Sequence, residues 1–341
     1  MTVTIKDIAA KAGVSVITVS RAINNKPDIN IITKERILKI ADELGYVPNE
    51  LAKSLVTRRT NSIAVLMPST PDYLAIEKFV SINQVCYEAG YTTLFCDTQN
   101  SVEKELEFLR QVKSKRVDGI LLFPVQGGDK RYINELKNTN VPFVFLHRFP
   151  EELDCDYVKN DNEYGGYITV NHLLEQGYCN IKYICARPNT TTGRERISGG
   201  KKAVSENSIS SDCFEVLVCD DSIHACYSFV KNLITDKSKQ KPDALFVWND
   251  RLAIGARKAI LEEGLKIPED IALTGYDDLE VSEFLLPPLT SVRQSTYEIG
   301  RRASQILLEK IESSDNERAI QKITIKPELI IRESTKKNGV I

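Results

Sequence analysis

The 341-residue sequence predicts a small all-α head followed by a two-lobed α/β core with two doubly wound parallel sheets. The first observation is that residues 1–47 hold three short stretches with apolar residues at helical spacing. The second is that strand and helix patterns alternate from residue 61 onward, in two successive series. A short segment, residues 48–60, joins the two parts. We therefore predict domain boundaries at 1–47, 48–60 and 61–341.

Two helices joined by a tight turn open the head. In the first helix the apolar residues recur at i, i+3, i+4 and i+7, namely Ile5, Ile8, Ala9 and Ala12. Gly13 can end this helix because glycine adopts a positive φ without steric penalty, and Ser15 is suited to cap the next one. A third helix is predicted with Thr33 as its cap and Gly45 as its stop.

The second helix leaves a polar and basic face outside the head. Val19 and Ile23 share the side that packs inward. The other side carries Ser15, Val16, Ile17, Thr18, Ser20 and Arg21. Such a helix fits the major groove of DNA, where the fork of Arg21 can bond guanine O6 and N7. Val16 and Ile17 suit thymine methyls, and the hydroxyls suit phosphates. On spacing alone, a small structural helical bundle remains an alternative.

Charge is distributed unevenly along the chain, which suits contact with a polyanion. Residues 1–60 contain ten Lys and Arg against six Asp and Glu, a net charge of +4, so the other 281 residues carry −6 of the total of −2. No apolar run reaches the roughly 18 residues that span a bilayer, and no basic and apolar leader opens the chain. We therefore expect a cytoplasmic protein without membrane contact.

The residue types that build metal and catalytic sites are poorly arranged for either. The eight cysteines never form a Cys-x-x-Cys pair, and the three histidines lie far apart at 147, 172 and 224. The sequence has neither a Gly-x-Ser-x-Gly nucleophile elbow nor a phosphate loop. We expect reduced, buried thiols, no metal, no cofactor and no catalytic residues.

A run of head residues resembles the lactose and galactose repressor family. The matching segments are Thr4-Ile5-Lys6-Asp7-Ile8-Ala9, Ala12-Gly13-Val14-Ser15 and Thr18-Val19-Ser20-Arg21, followed by Asn24 and Asn25. The resemblance implies a helix-turn-helix regulator, most often a repressor, that binds a palindromic operator in double-stranded DNA as a homodimer. The outward face of the second helix supplies most of the predicted DNA-binding residues, and the resemblance adds Thr4 and Asn24 to them.

The segment after the head resembles the hinge helix of the same family. Leu44-Gly45-Tyr46-Val47-Pro48-Asn49 and Leu51-Ala52-Lys53-Ser54-Leu55 carry the match. Residues 49–57 are too short and too poor in apolar contacts to hold a helix alone in water, so they should order only when covered. The resemblance implies that two copies enter the minor groove and that Leu55 wedges between base pairs. A plain polar linker is the alternative.

From residue 61 the sequence alternates between buried strands and helices. The strands are predicted at 62–67, 91–96, 119–123, 142–146, 181–185, 214–218, 243–247 and 271–274. The helices are predicted near 73–89, 101–115, 130–138, 164–176, 194–206, 223–235 and 251–263. In doubly wound sheets a ligand binds outside the carboxyl ends of the strands, and two facing lobes form a cleft.

The resemblance continues through the core, in blocks such as Arg116-Val117-Asp118-Gly119-Ile120 and Gly275-Tyr276-Asp277-Asp278. It implies the bilobed fold of periplasmic sugar-binding proteins. By that analogy the first lobe takes residues 61–159 and 290–319, and the second takes 160–289 and 320–341. The implied effector is a small molecule, either a sugar, a sugar phosphate or a nucleoside or nucleobase. We expect the dimer interface on the first lobe, around residues 73–89 and 101–115.

Six residues are candidates for binding this effector. Arg196, Asn249 and Asp277 match family positions that hydrogen-bond effector hydroxyls, and their guanidinium, amide and carboxylate groups can pair with vicinal hydroxyls. Tyr73 and Trp248 are candidate aromatic walls, although either can equally belong to a core. His147 departs from the family pattern. It can exchange a proton near neutral pH, contact an anionic group when protonated, or be an ordinary loop histidine.

The expected mechanism couples effector binding to DNA affinity. Closure of the lobes moves the two subunits of the dimer and so changes whether the hinge helices can pair and insert. One rival interpretation is a solute-binding protein of a transporter, which the basic head disfavours. The other is an α/β enzyme that uses Asp277 and Asp278 as acid and base, which the missing catalytic motifs disfavour.

Overall fold

The computed structural model describes residues 3–47, 59–68, 73–125, 130–238, 240–313 and 319–337. The chain divides into two compact units, residues 1–60 and 61–341. Most of the predicted hinge segment, including Leu55, lies outside the described residues, as does the side chain of Tyr73. None of the helices in the described part combines the length and apolar character needed to cross a bilayer.

The head is a bundle of three helices, α1 (Ile5–Ala12), α2 (Val16–Ile23) and α3 (Ile31–Glu43). A small core holds them together, formed by Ile8, Ala9, Ala12, Val19, Ala22, Ile37 and Ala41. α1 ends at Gly13, whose φ of 64° lies in the left-handed region. Ser15 caps α2, because its Oγ accepts the N–H of Thr18 at 3.1 Å. The predicted two-helix turn is confirmed.

The third helix of the head begins two residues before the predicted cap. α3 starts at Ile31, and Oδ1 of Asn30 accepts the N–H of Ile32 at 2.9 Å. The prediction that Thr33 caps the helix is therefore wrong. Ile31 and Ile32 are exposed and lie outside the apolar stripe, so the stripe did not reveal the first turn.

The core carries alternating strands and helices. In chain order the strands are β1 (Ser62–Met67), β2 (Thr92–Asp97), β3 (Gly119–Leu122), β4 (Phe143–Leu146), β5 (Tyr157–Asn160), β6 (Ile181–Cys185), β7 (Phe214–Val218), β8 (Ala244–Val247), β9 (Ala272–Thr274), β10 (Ser291–Arg293), β11 (Lys322–Ile325) and β12 (Glu328–Ile330). The helices are α4 (Tyr73–Glu88), α5 (Val102–Lys115), α6 (Lys130–Lys137), α7 (Asn162–Glu175), α8 (Thr191–Glu206), α9 (Ile223–Thr235), α10 (Asp250–Glu262), α11 (Val281–Phe284) and α12 (Thr296–Glu312).

The first lobe is a parallel sheet in the order β11-β5-β4-β3-β1-β2 with helices on both faces. Ile63 and Val65 of β1 pack in one cluster with α4 and α12, which contribute Ile82 and Ile299. Ala64 and Leu66 of β1 pack in another cluster with α5 and α6. Both faces of the sheet are therefore buried, as a parallel sheet requires.

The second lobe is a parallel sheet in the order β7-β6-β8-β9. Its core contains Val170 of α7, Cys226 of α9 and Leu252 of α10, all fully buried. The rings of Tyr183 on β6 and Phe246 on β8 stack with centroids 4.3 Å apart. Two doubly wound parallel sheets were predicted, and both are present.

The predicted lobe boundaries after residue 289 need correction. β11, at residues 322–325, pairs with β5 in the first sheet, whereas the prediction placed 320–341 in the second lobe. β10 pairs with β12, and residues 290 and 293 bridge to Thr274 and Asp277 of the second lobe. The chain therefore crosses between the lobes near residues 160, 294 and 326. The sequence pattern did not show this, because these short strands are defined by pairing with residues far away in the chain.

Most cysteines are buried, as expected. Six of the eight lie in the interior, while Cys96 is half-buried and Cys179 is exposed. All eight are free thiols.

Candidate functional site

The outward face of α2 presents the predicted DNA-binding residues to solvent. Ile17 is 68% exposed and Val16 is 37% exposed, while Val19 and Ala22 on the opposite side are buried. Arg21 is also exposed and forms an ion pair with Asp28. This arrangement leaves one surface of the helix free to enter a groove while its other side fixes it to the head.

Several polar residues of the same set also hold the ends of helices. Ser15 Oγ lies 2.8 Å from Thr18 Oγ1, and Asn24 Nδ2 donates to a carbonyl one turn earlier at 2.8 Å. The backbone N–H and the hydroxyl of Thr4 both donate to Asp7 Oδ2, at 2.8 and 2.7 Å. These contacts preorganise the head, and they leave each hydroxyl oxygen with acceptor capacity.

A small polar pocket lies at the carboxyl ends of strands from both sheets of the core. His147 follows β4, Trp248 and Asn249 follow β8, and Asp277 follows β9. Arg196 reaches the pocket from α8. The structure therefore brings together five of the six predicted effector residues. The sixth, Tyr73, begins α4.

Arg196 is the most enclosed of these side chains. It is 2% exposed, its guanidinium lies 3.4 Å from the ring centroid of Tyr276 and 4.7 Å from that of Trp248, and one of its nitrogens donates to the Trp248 carbonyl at 2.8 Å. Its Nε donates to Asn162 Oδ1 at 3.3 Å. Burial lowers the pKa of Arg196, but the nearby tyrosines and Asp277 outweigh burial and raise it. The group is a fixed, planar cation.

Glycines at the crossing of α7 and α8 allow these two helices to pack closely beside Arg196. A Cβ on Gly166 would lie 2.2 Å from the Arg196 carbonyl oxygen, and one on Gly199 would lie 1.9 Å from the Glu163 carbonyl oxygen. Any other residue at either position would push the helices apart. The close crossing therefore sets the depth of Arg196 in the pocket.

Asn249 and Asp277 are held by the backbone and by a buried amide. Asn249 caps α10, because its Oδ1 accepts the N–H of Leu252 at 2.9 Å. Asp277 has a φ of 109°, and its carboxylate accepts from the side-chain amide of Gln294. Gln294 in turn accepts from Asn160, so a chain of amides leads from the first lobe to Asp277. Backbone strain of this kind persists only where surrounding contacts hold it.

His147 lies on the first-lobe side of the pocket, beside Phe123. The imidazole is 8% exposed and stacks on the Phe123 ring with centroids 5.1 Å apart and planes 11° apart. Its Nδ1 has no hydrogen-bond partner among the described residues. Burial lowers the pKa of His147 well below its ordinary value, and the positive charges of Lys78 and Arg148 lower it further. The imidazole is therefore neutral near neutral pH, which disfavours the interpretation of a protonated histidine.

Three further pocket residues form an ion-pair group on the second lobe. Arg187 donates from Nε to Asp221 at 3.0 Å, and Arg251 donates to the same carboxylate at 2.6 Å. All three line the pocket. Arg187 and Asp221 lie just beyond β6 and β7, so the rule that ligands bind at strand ends could have identified them.

The sequence reasoning also missed Lys78 and Gln294 as pocket residues. Lys78 is 2% exposed on α4, and Gln294 is 6% exposed after β10. A buried lysine has no signature in a sequence pattern, because the partners that allow its burial come from elsewhere in the chain.

Asp278, the second carboxylate of the rival enzyme interpretation, forms ion pairs outside the pocket. Asp278 pairs with Arg293 and with Arg332, each at 2.7 Å, and it does not line the pocket. Asp250, which is fully buried, accepts from the hydroxyls of Ser282 and Ser291 at 2.6 Å each. These carboxylates shape the turn after β9 and do not form an acid–base pair with Asp277.

Comparison with known proteins gives the family. The family model for bacterial regulatory proteins, lacI family, matches residues 4–49, and the model for a periplasmic binding protein-like domain matches residues 170–335. The chain is 33% identical over 331 residues to the HTH-type transcriptional repressor PurR of Aliivibrio fischeri (strain MJ11), covering 97% of this chain and 98% of that protein. The chain belongs to the lacI family. It is 36% identical over 334 residues to the HTH-type transcriptional repressor PurR of Haemophilus influenzae (strain PittEE), covering 98% of each.

Solved structures of lacI-family proteins share the fold over the whole chain. The Lac repressor dimer bound to operator and the anti-inducer ONPF is 26% identical with a TM-score of 0.87, covering 99% of this chain and all of that one. A complex of the regulator CelR with cellobiose is 27% identical with a TM-score of 0.73, covering 97% of this chain and 99% of that one. As a member of this family, the chain is a DNA-binding transcriptional regulator and not an enzyme.

Proposed function

We propose that this lacI-family protein represses transcription by binding a palindromic operator as a homodimer, and that a small ligand in the core pocket controls its DNA affinity. The observation that carries the proposal is the two-sided character of α2. Val19 and Ala22 anchor the helix in the head, while Ile17, Val16 and Arg21 face solvent. This is the geometry by which a helix-turn-helix reads a major groove.

Each predicted DNA-binding residue has a proposed role. Arg21 reads a guanine through O6 and N7, and Val16 and Ile17 contact thymine methyls or sugar edges. Ser15, Thr18 and Ser20 bind phosphates and set the register, with Thr4 and Asn24 at the edges of the same surface. Leu55, which lies outside the described residues, is the proposed minor-groove wedge.

The pocket residues have proposed roles in binding the effector. Arg196, Asn249 and Asp277 bond ligand hydroxyls, and Trp248 gives an apolar wall beside the Arg196 guanidinium. His147 offers Nδ1 from the first lobe. Tyr73 is proposed as a second wall. Because groups from both lobes line one pocket, a ligand that contacts them all favours the closed arrangement of the lobes.

Ligands named with related structures support a small, polar effector. The regulator CelR is in complex with cellobiose, and a lacI-family regulator from Enterococcus faecium, 25% identical over 81% of this chain and with a TM-score of 0.71, contains bound ribose. The pocket has a volume of about 100 Å³, which is below the roughly 300–1,000 Å³ of pockets for drug-sized ligands. We propose a ligand no larger than a monosaccharide derivative.

Exposed apolar residues on α4 support a homodimer. Ile76 is 60%, Val80 53% and Tyr87 78% exposed, and Phe284 of the second lobe is 72% exposed. The Lac repressor structure with a TM-score of 0.87 is a dimer bound to operator. Exposed positions of α5 are instead polar, at Glu103, Glu107, Arg110 and Lys113. The proposed interface is therefore α4 with the region of Phe284, and not α5.

The size of the switch is limited by the ligand. A ligand shifts the equilibrium only by its differential affinity for the two states, and a change from 99:1 to 1:99 needs about 5.5 kcal/mol. Release of the operator on ligand binding is the proposed direction.

The proposal is tested by selecting bound sequences from a random duplex pool with the purified full chain at a stated salt concentration. We expect enrichment of a short palindrome with a flexible central step, because two heads and two hinge segments contact one site. Selection is repeated with candidate sugars, sugar phosphates and nucleobases, so that a protein needing a corepressor is also detected. Failure to enrich a palindrome under every condition contradicts the proposal.

A further inference from the structure

Among the described residues, the pocket of the core is lined by more positive than negative side chains. The positive lining residues are Lys78, Arg148, Arg187, Arg196 and Arg251, and the negative ones are Asp221 and Asp277. Arg187 and Arg251 share Asp221, and Arg196 is held by Trp248 and Asn162. Lys78 and Arg148 are the positive groups on the first-lobe side.

Lys78, Arg148 and His147 surround the ring of Phe123. The Lys78 Nζ lies 5.3 Å and the Arg148 guanidinium 5.0 Å from the ring centroid, and the His147 imidazole stacks on it at 5.1 Å. A ring face stabilises a nearby cation, but only by roughly 0.5–2 kcal/mol. The ring therefore places the three nitrogen-bearing groups together on one side of the pocket.

Two donors or acceptors in this group are buried and unused. One nitrogen of Arg148 donates to the Val125 carbonyl at 2.9 Å, while its Nε has no hydrogen-bond partner among the described residues. His147 Nδ1 is also buried and has no hydrogen-bond partner among the described residues. Glu105 is a buried acidic residue whose charge raises the pKa of Arg148. Its carboxylate accepts the N–H of Val125 at 3.2 Å. Unsatisfied buried donors cost free energy, so a ligand that bonds them gains it.

The electrostatics agree with this geometry. Burial is the main cause that lowers the pKa of Arg148, to about 10, and Arg187 and Arg196 lower it further against Glu105 and Asp221. The guanidinium therefore stays charged near neutral pH. Burial is also the main cause that lowers the pKa of the neighbouring His147, and the positive charges of Lys78 and Arg148 act in the same direction.

We propose that this cluster, Lys78, His147 and Arg148 around Phe123, is an anion-binding subsite, and that the effector is a monosaccharide-sized polyhydroxy compound with a carboxylate or phosphate group. The anionic group bonds Arg148 and Lys78 on the first lobe, and the hydroxyls bond Arg196, Asn249 and Asp277 on the second. The inference rests on the proposed function, since it names the class of ligand for the same pocket. A fork of guanidinium donors matches either anion geometrically.

Calorimetric titration of the full chain with matched sets of ligands tests the inference. Each set holds a neutral pentose or hexose, the corresponding sugar acid and the corresponding monophosphate, and hypoxanthine and inorganic phosphate are titrated separately. We expect a charged member of one set to bind at least about tenfold more tightly than its neutral parent. The sugar-acid and phosphate arms distinguish the two anions. Equal or tighter binding of the neutral sugars or of hypoxanthine overturns the inference, as does a panel in which no anion binds.

Variants locate the effect at the cluster. Arg148→Gln and Lys78→Gln should each weaken the charged ligand by at least about tenfold and change the neutral parent less than about twofold. Lys113→Gln on the exposed face of α5 removes the same charge and should change neither. Because Arg148 also bonds the Val125 carbonyl, thermal unfolding is measured for each variant, and Lys78→Gln decides if Arg148→Gln does not fold. Full retention of charged-ligand affinity in both folded variants overturns the subsite.

Operator binding separates this inference from the proposed function. A charged ligand that binds in the pocket but leaves operator affinity unchanged contradicts the proposed control of DNA binding and leaves the anion subsite standing. Operator affinity that responds to neutral sugars and not to their charged counterparts contradicts the subsite and leaves the proposed function standing.

Discussion

The guanidinium of Arg21 on α2 forms an ion pair with Asp28, in the segment before α3. Nε donates to Asp28 Oδ1 at 3.2 Å, and a second guanidinium nitrogen contacts Oδ2. About half of each side chain is exposed, 52% for Arg21 and 47% for Asp28, and exposed pairs contribute only about 0–1 kcal/mol. In the free head the proposed base-reading residue is thus held by a weak partner, which a guanine can replace at little cost.

Replacement of Arg21 by alanine should weaken specific binding more than nonspecific binding. Arg21→Ala is expected to cost about 1–3 kcal/mol on the preferred operator and to leave random duplex binding nearly unchanged, because a bidentate contact to guanine is sequence-dependent. Fluorescence anisotropy with both duplexes at one salt concentration measures the difference.

Arg36→Ala is the matched control for this prediction. Arg36 is an exposed arginine on α3, so its removal changes the charge of the head equally without touching α2. The control should lower both affinities by a similar factor, if at all. Equal losses on both duplexes for Arg21→Ala would remove Arg21 from base reading.

Arg196→Lys should impair ligand binding although it keeps the charge. The guanidinium lies against Tyr276 at 3.4 Å and Trp248 at 4.7 Å and bonds the Trp248 carbonyl, which needs a planar group with several donors. We expect the affinity for the tightest ligand of the sugar panel to fall by at least about tenfold, with operator binding in the absence of ligand retained. Calorimetry and anisotropy measure the two quantities.

Arg194→Lys, two residues earlier on α8, is the control for this substitution. Arg194 pairs with Glu151 on the surface, and its side chain is 52% exposed. The variant should bind ligand like the parent protein. If Arg196→Lys also does so, Arg196 does not contact the ligand.

Much of the fold could be predicted because each sheet is buried on both faces. β6, β7 and α9 have the predicted bounds, because strand and helix patterns alternate clearly in this part of the chain. β5 and β11 were not predicted. Both are four-residue strands with alternating burial. β11 forms the edge of the sheet and joins it only by pairing with β5, which also pairs with β4.

Some residues of the candidate site could be predicted from the sequence and others could not. Asn249 and Asp277 could be predicted because they match family positions, and His147 because it follows a predicted strand whose end lies at the cleft. The role of Lys78 could not be predicted, because its burial beside Phe123 depends on contacts between α4 and β3. The lowered pKa of His147 likewise depends on burial and on the charges of Lys78, Arg196 and Lys159, which come from other segments of the chain.

A charge on the outer face of α4 should dissociate the proposed dimer. Val80 is 53% exposed between Ile76 and Tyr87, so Val80→Lys places an ammonium in the proposed apolar interface. We expect the dimer dissociation constant to rise by at least about tenfold in sedimentation velocity. Operator affinity should fall with it, because a monomer engages only one half-site.

Val218→Lys is the matched control for the dimer. Val218 is 57% exposed at the end of β7, an edge strand of the second sheet that tolerates lysine. This variant should sediment like the parent protein. A Val80→Lys protein that remains dimeric contradicts the proposed interface.

The stability of the core should depend on pH through His147. Burial lowers the pKa of this imidazole well below its ordinary value, with Lys78 and Arg148 as further causes, whereas the unfolded chain titrates near about 6.5. Between these two pKa values the unfolded state binds a proton that the native state does not. The contribution of His147 is therefore constant above about pH 7 and becomes unfavourable as the pH falls through about 6.5, by at most about 1.4 kcal/mol per pH unit.

Comparison with His147→Gln isolates this contribution from the other titrating groups. Burial also lowers the pKa of His172, and burial raises that of Asp250 to about 6, but both residues are present in each protein and cancel in the difference. Denaturant unfolding of the core, from about pH 8 to about pH 5, gives the free energy of unfolding of each. The value for the parent protein minus that for the variant should be flat at the high end and decline toward the acid end. If the difference stays flat throughout, native His147 takes up its proton as easily as the unfolded chain does. That outcome would contradict the lowered pKa that burial beside Lys78 and Arg148 implies.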